Sequence, residues 1–213
     1  MRTTFKTVSL ADQVFERLEN DIIQGHFQKG EVLTELKLVE QMGVSRTPIR
    51  EALRRLEQER LIEDTGKGSR VLGISEDDVM DIMDIRQHLE GLSSYHAALN
   101  VTTSGIEELQ HIVDMMDFFF AKWDPEHLRR ADDDFHEAIA HLSGRNVIKD
   151  TLVPLHRKTR RYRKIAMEDK TRASCTLQEH HKIYEAIRDG NAELARKLAT
   201  QHIINAKGHM FGE

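Results

Sequence analysis

GVSRTPIREALRRL, residues 43–56, is the stretch whose reading decides the fold. Ser45 suits a helix cap, Pro48 falls in the first turn where its missing N–H does no harm, and an unbroken helical pattern follows. At 3.6 residues per turn, Ile49, Ala52, Leu53 and Leu56 fall within an arc of about 100°, while Arg46, Arg50 and Arg54 take the adjoining arc. One face is made to pack and its neighbour is cationic. Alone, this would read as an ordinary amphipathic helix with solvated arginines.

The flanks change that reading. Ser9 and Asp12 fit the capped start of a helix that carries Leu10, Val14, Leu18 and Ile22 inward and ends at Gly25. Thr34 caps a short helix with Leu36 and Val39 inward, Gly43 supplies a left-handed turn residue, and the arginine-bearing helix starts two residues later. Beyond Leu61 and Ile62, EDTGKGSRVLGI offers two short strands around a glycine-bearing turn, with Lys67 and Arg70 near its tip. The pattern is a helix-turn-helix followed by a basic wing.

With 213 residues the chain is long enough for two modest domains, placed here at 1–74 and 75–213. Gly, Pro and aromatic residues are sparse and helical periodicity dominates outside the wing, so a mainly α-helical protein is expected. A single cysteine, Cys175, excludes an intrachain disulfide framework and suits a reducing cytoplasm. MRTTFKTVSLADQ has no signal-peptide apolar core, and MMDFFFA, broken by Asp117, is too short to cross a membrane, so a cytoplasmic protein with no membrane partner is expected. Net charge is −5, but residues 1–74 hold twelve Lys and Arg against twelve Asp and Glu, which leaves the whole deficit to the second half. A neutral domain with a locally basic helix should bind a specific DNA site through a few phosphates and bases, in a strongly salt-dependent way.

From Ser75 a helix with acidic first turns places Val79, Ile82, Ile85, Leu89 and Leu92 at helical intervals. Further helical patterns cover about 104–123, 125–143, 146–168, 174–189 and 191–207, separated by short breaks rich in Gly, Pro, Ser and Asn. An antiparallel bundle of about six helices is expected. Twelve histidines are scattered along the chain, and spacing singles out a few. In DDDFHEAIAH, Asp132 and His136 are one helical turn apart and can reach one ion. His180 and His202 lie on two later helices joined by the short RDGNAE turn. If that hairpin packs on the Asp132 helix, one carboxylate and three imidazoles converge, a set suited to Zn²⁺ first, with Ni²⁺, Mn²⁺ or Fe²⁺ as alternatives. The basic run RKTRRYRK, residues 157–164, puts Arg157, Arg160, Arg161 and Lys164 on one helical face. That face is read as solvated or as pairing with the acidic start of this domain, although one or two of its arginines can instead line a pocket.

Residues 7–74, through Gly30, the VSRTPIREAL core, Leu56 and the Gly66–Val71 wing, resemble the GntR family of bacterial winged helix-turn-helix repressors. The resemblance implies a homodimer whose recognition helices enter successive major grooves of double-stranded operator DNA. Arg46 and Arg50 then inherit contacts to base edges or phosphates, with Thr47 and the wing residue Lys67 on the backbone. Arginine suits the task because its planar fork can donate two hydrogen bonds to guanine, commonly worth about 1–3 kcal/mol of discrimination. Some relatives carry a basic residue where Leu36 stands here. Residues 76–207 resemble the FCD ligand-binding domain of the FadR subfamily, through R-x-x-L-E at Arg86–Glu90, D-x-x-F-H at Asp132–His136, E-H-x-x-I at Glu179–Ile183, and the late His202. That resemblance implies Asp132, His136, His180 and His202 as ligands of a divalent metal ion, with His181 pointing elsewhere. It also implies Arg86 as the clamp for a small carboxylic-acid effector, a salt bridge to Glu90 or Asp132 being the alternative. The six-helix count points to the shorter branch of the subfamily.

The expected function is therefore a transcriptional regulator, a repressor by family default, whose operator affinity changes when a carboxylate metabolite reaches the metal site. A regulator that senses the ion alone is one alternative. A metal-dependent hydrolase is another, since an Asp/His site can activate water. No enzyme is expected, because Glu137 and Glu179 are each rotated about 100° from the adjacent histidine and leave no placed acid or base.

Overall fold

The computed structural model describes residues 9–212, so the part of the first-domain reading that falls on residues 1–8 lies outside the described residues. The chain divides into two compact units, one up to Ser75 and one from Glu76. The first begins with α1 (Leu10–Ile23), opened by a reciprocal cap in which the Asp12 N–H donates to Ser9 Oγ and the Ser9 N–H to the Asp12 carboxylate. Thr34 caps α2 (Glu35–Met42) by accepting from the Lys37 N–H, and Gly43, at φ +66°, makes the left-handed turn into α3 (Arg46–Gln58). Ser45 stands at the cap position of α3 with extended backbone but makes no side-chain cap bond. The third helical residue is Pro48, which lacks the N–H that such a cap would accept.

Ile49, Ala52 and Leu56 of α3 are fully buried against Val14, Leu18 and Ile22 of α1 and Leu38 of α2. Two expected core positions are not core. Leu36 is 58% exposed, because the helix turns on Leu38, which lies about 160° away around the axis. Leu10 is likewise exposed, since a side chain at the first helical position leans toward the N-terminus, past the packed body. The wing is real and has one strand more than expected: β1 (Val32–Leu33), β2 (Ile62–Asp64) and β3 (Ser69–Val71) form an antiparallel sheet in the order β1-β3-β2. Two residues are too few to show alternation, which is why β1 is invisible to periodicity. Gly68, at φ +143°, sits under this sheet, and a Cβ there would lie 2.7 Å from the Leu33 carbonyl oxygen.

The second unit is all helical among the described residues: α4 (Glu76–Leu99), α5 (Thr103–Lys122), α6 (Pro125–Leu142), α7 (Asn146–Lys158), α8 (Arg160–Glu168), α9 (Lys170–Arg188) and α10 (Ala192–Phe211). The helix expected over 146–168 is two, broken at the buried Thr159, whose hydroxyl turns back to the His156 and Leu155 carbonyls. Seven helices stand where six are expected, and placement in the shorter branch loses the count on which it rested. Phe135, Leu128, Ile187 and Ala195 anchor the core. Helix α10 runs antiparallel to α4: Asp84 pairs with Lys207, while Gly91 packs against Thr200 and the Arg196 carbonyl so closely that a Cβ would collide with Thr200 Oγ1.

Helix α4 is rotated relative to the sequence reading. Ile85 is 47% exposed and Leu89 and Leu92 are half-buried, while Arg86, Glu90, Ser93 and Ser94 face inward beside Val79, Met83 and Ala97. An inward ion pair, described below, accounts for the turn.

The wing gives a direct test. Gly66→Ala should cost about 1–2 kcal/mol, because its φ of +72° is left-handed but nothing lies within 4 Å. Gly68→Ala should cost about 1–3 kcal/mol more, since its methyl must also displace backbone. Denaturant titration of the two full-length variants reads the order, and equal losses would contradict the close approach to Leu33.

Candidate metal centre and reading surface

Asp132 and His136 on α6, His180 on α9 and His202 on α10 are all buried, at 2, 3, 1 and 4% exposure. One ligand nitrogen from each of the three imidazoles lies within 4.8 Å of the others. His180 Nε2 and His202 Nε2 are 3.3 Å apart, and Asp132 Oδ1 is 3.8 Å from His180 Nε2. Their rings are aimed from behind. His136 Nδ1 donates to Glu90 Oε2 at 2.7 Å and His202 Nδ1 donates to Glu179 Oε2 at 2.7 Å, which leaves each Nε2 lone pair facing inward. His180 has no such partner: its Nδ1 is buried without a hydrogen bond, and its ring is held by stacking on Phe135 at 4.2 Å between centroids. Three imidazole nitrogens and one carboxylate, with two rings oriented by acids and one buried nitrogen unsatisfied, fit a divalent cation.

The environment favours ligand-ready imidazoles. Burial drives the His180 pKa well below the ordinary imidazole value, and the neighbouring His202 and His136 push the same way. His202 is lowered by burial against the opposing pull of Glu179. Burial works to raise the Glu90 pKa, but His136, Arg86 and His156 together hold it well below the carboxylate range.

Arg86 is 1% exposed. Its Nε and Nη2 donate to Glu90 Oε1 at 2.9 and 2.6 Å, and its Nη1 donates to Thr159 Oγ1 at 2.9 Å. It lines a cavity of about 20 Å³ shared with Asp132, His136, His202, Arg163 and Arg172. Several residues of this network were missed by sequence reasoning. His156, on α7, donates from Nε2 to Glu90 Oε1 at 3.0 Å, and burial takes its pKa down to about 3. Glu90, His136 and His156 form a second close group, but Arg86 already occupies that carboxylate and repels a cation. Arg163 is buried; its Nη1 donates to Asp132 Oδ2 at 3.2 Å, its Nη2 to the His156 carbonyl at 2.7 Å, and its Nε has no partner. The basic run therefore sends Arg163 inward, while Arg161 and Lys164, about 160° and 100° from it around the helix, are exposed. The spacing Arg163, Ala166, Met167 was the available signal. Glu179, rotated away from His180 as expected, serves His202 instead and also pairs with Arg172. His181 points away, toward Asp117.

On the first unit, Arg46, Thr47, Arg50 and Lys67 are all exposed. Arg50 and Lys67 line a groove of about 440 Å³ between α3 and the wing, together with Arg54, Gly66 and Ser69. Arg50 Nε donates to Glu35 Oε1 at 2.8 Å. Arg55, by contrast, is structural: it pairs with Asp12 at 2.6 Å and covers the Phe15 ring.

No helix among the described residues is long and apolar enough to cross a membrane. Residues 10–71 match the family of bacterial regulatory proteins described as gntR, and residues 81–205 match the FCD domain. The chain is 31% identical to the Uxu operon regulator of Haemophilus influenzae, over 93% of this chain and 81% of that protein. It is 25% identical to the HTH-type transcriptional repressor RspR of Escherichia coli, over 92% and 87%. Among solved structures it is similar in fold to E. coli McbR/YncC, with a TM-score of 0.81 at 23% identity over 97% and 99% of the two chains. The first two are named as an operon regulator and a transcriptional repressor, and this chain is a transcriptional regulator. It belongs to the gntR family of bacterial regulatory proteins and carries an FCD domain after its helix-turn-helix module.

Proposed function

We propose that the chain is a metal-dependent, effector-controlled repressor: residues 1–74 read a DNA operator as a homodimer, and residues 75–213 hold a divalent ion that receives a small carboxylate. The observation that carries the reading is the convergence of His136, His180 and His202 beside Asp132, on a cavity that Arg86, Arg163 and Arg172 also line. Charge supports it. The carboxylates of Glu90, Asp132 and Glu179 balance those three guanidiniums one for one. A divalent ion held by Asp132 and the three imidazoles would make that sum positive, and the cavity would then favour an anion. The ion would supply Lewis acidity toward a carboxylate oxygen. Arg86 and Arg163 would supply charge-assisted hydrogen bonds, Arg163 through the Nε that is otherwise unpaired. Repression follows the relative named a repressor. A dimer suits the apolar seam of the exposed Ile85 with the half-buried Leu89 and Leu92 on α4. DNA release would follow if the effector binds one arrangement of the reading heads better than another, their spacing being set by the groove repeat of about 34 Å.

The size of the cavity, about 20 Å³, suits an ion better than an organic acid and favours a second reading, in which the ion itself is the signal. Titration separates the two: release from DNA by Zn²⁺ alone, with no further response to a panel of carboxylates, selects the direct sensor.

Gel shift on the DNA upstream of the chain's own gene tests the reading head. Arg46→Ala and Arg50→Ala should each weaken binding about 5- to 100-fold, from about 1–3 kcal/mol per lost contact; unchanged affinity in both removes them from recognition. Elemental analysis tests the centre: His136→Ala and His180→Ala should lose stoichiometric metal while circular dichroism stays helical, and full retention in both refutes the site. Acid should weaken the metal-stripped helical unit. Unfolded histidines take up protons near pH 6.5, whereas buried His156 does so only near pH 3, so stability is complete above about 6.5 and falls as pH drops toward 3. A melting temperature that is flat from pH 7.5 to 4 contradicts that burial.

A further inference from the structure

The reading surface holds an acid where a DNA binder gains by having none. Glu35 is the first residue of α2, and its carboxylate reaches fifteen residues along the chain to the recognition helix, where Oε1 accepts from Arg50 Nε at 2.8 Å. Both side chains are solvent-facing, at 64% for Arg50 and 36% for Glu35, so this contact is not a buried necessity of the fold. Its geometry is selective. Glu35 takes the Nε edge of the guanidinium, and the Nη1 and Nη2 end makes no hydrogen bond among the described residues. That free end is the fork that matches the O6 and N7 of guanine. Glu35 also lies in the field of Arg46, so one carboxylate faces both reading arginines.

Resting on the reading of Arg50 as a DNA contact, we propose that Glu35 is a specificity-determining residue. It holds Arg50 by the Nε edge with its fork turned outward, and it stands in for a phosphate so that non-cognate backbone cannot recruit this arginine cheaply. A guanidinium that is already paired gains little from exchanging one carboxylate for one phosphate oxygen. It gains more from a base edge that uses the two donors Glu35 leaves free. The carboxylate meanwhile repels any phosphate that approaches without such a base contact. Glu35 thus lowers non-specific affinity and leaves operator affinity nearly intact. This complements the zero net charge of residues 1–74.

The experiment is a double-mutant cycle on the full chain: wild type, Glu35→Gln, Arg50→Ala and the pair, titrated by fluorescence anisotropy over a range of KCl. One probe is a short mixed-sequence duplex and the other is an operator selected in vitro with the wild-type protein. Glutamine keeps the size and an acceptor while removing the charge. Glu35→Gln should bind the mixed duplex about three- to five-fold tighter, the scale of an exposed ion pair released to a phosphate. The slope of log K against log salt should steepen by about one contact's worth, and operator preference should fall by the same factor. In the Arg50→Ala background the gain should vanish. A gain of equal size without Arg50 would mean that any removed negative charge suffices, and no gain at all would mean that Glu35 does not restrain Arg50; either overturns the proposal. Glu57→Gln, which lines the same groove without a bond to Arg50, should show no Arg50-dependent gain, and an equal dependence there would also overturn it. If wild type and Arg50→Ala bind the selected operator equally, the failure lies instead in the reading of Arg50.

Discussion

The structure of the second unit depends on one buried carboxylate. Glu90 sits in the middle of α4 and accepts from Arg86 twice, from His156 and from His136, so a single anion ties α4, α6 and α7 together. A carboxylate this deep is costly to dehydrate, and it is tolerable only because every neighbour within reach carries a matched donor. The orientation of α4 follows. To bring Arg86 and Glu90 inside, the helix turns Ile85 outward and leaves Leu89 and Leu92 half-buried, although Val79 and Ile82 stay in the core. The same carboxylate fixes the tautomer of His136, so the orientation of a candidate metal ligand and the packing of a long helix are consequences of the same group.

How much of this was legible in the sequence depended on how local the signal was. The first unit was read nearly whole, because capping residues at Ser9 and Thr34, the turn glycine Gly43 and a clean apolar arc on α3 are short-range signals that agree with one another. What escaped there was too short for a period, as with β1, or lay at a helix end, as with Leu10 and Leu36. In the second unit the convergence of Asp132, His136, His180 and His202 could be guessed from one-turn spacing and a hairpin. The residues behind them could not. Glu90 and His156 are 66 positions apart, Arg86 and Thr159 are 73 apart, and nothing in either neighbourhood signals the other. Arg163 was hidden by its basic neighbours: on the wheel it falls with Leu152, His156 and Met167, away from the face that Arg157, Arg160, Arg161 and Lys164 share.

The two units solve opposite electrostatic problems. Residues 1–74 are neutral overall and keep Arg46 and Arg50 exposed to water, Arg50 with its Nε edge on Glu35. The helical unit is acidic overall but gathers three arginines and a cluster of carboxylates in its interior, where screening is weak and unbalanced charge is expensive. An interior charge sum close to zero can be tipped by a single ion, whereas a water-exposed one cannot. That difference suits the proposed division, with a chemical signal received in the bundle and a sequence signal on α3.

Gly91 carries a quieter implication. The backbone of α10 rests almost directly on α4 at this position, with Thr200 and Arg196 above the missing side chain, and His202 follows two residues after Thr200. The depth at which one of the three imidazoles enters the bundle is thereby set by the thickness of the seam between two helices, which is a matter of volume and not of chemistry. An alanine or serine there would hold the same donors at a wider gauge. On the proposed reading, the choice of ion would then be set in part by the size of a residue that never touches it.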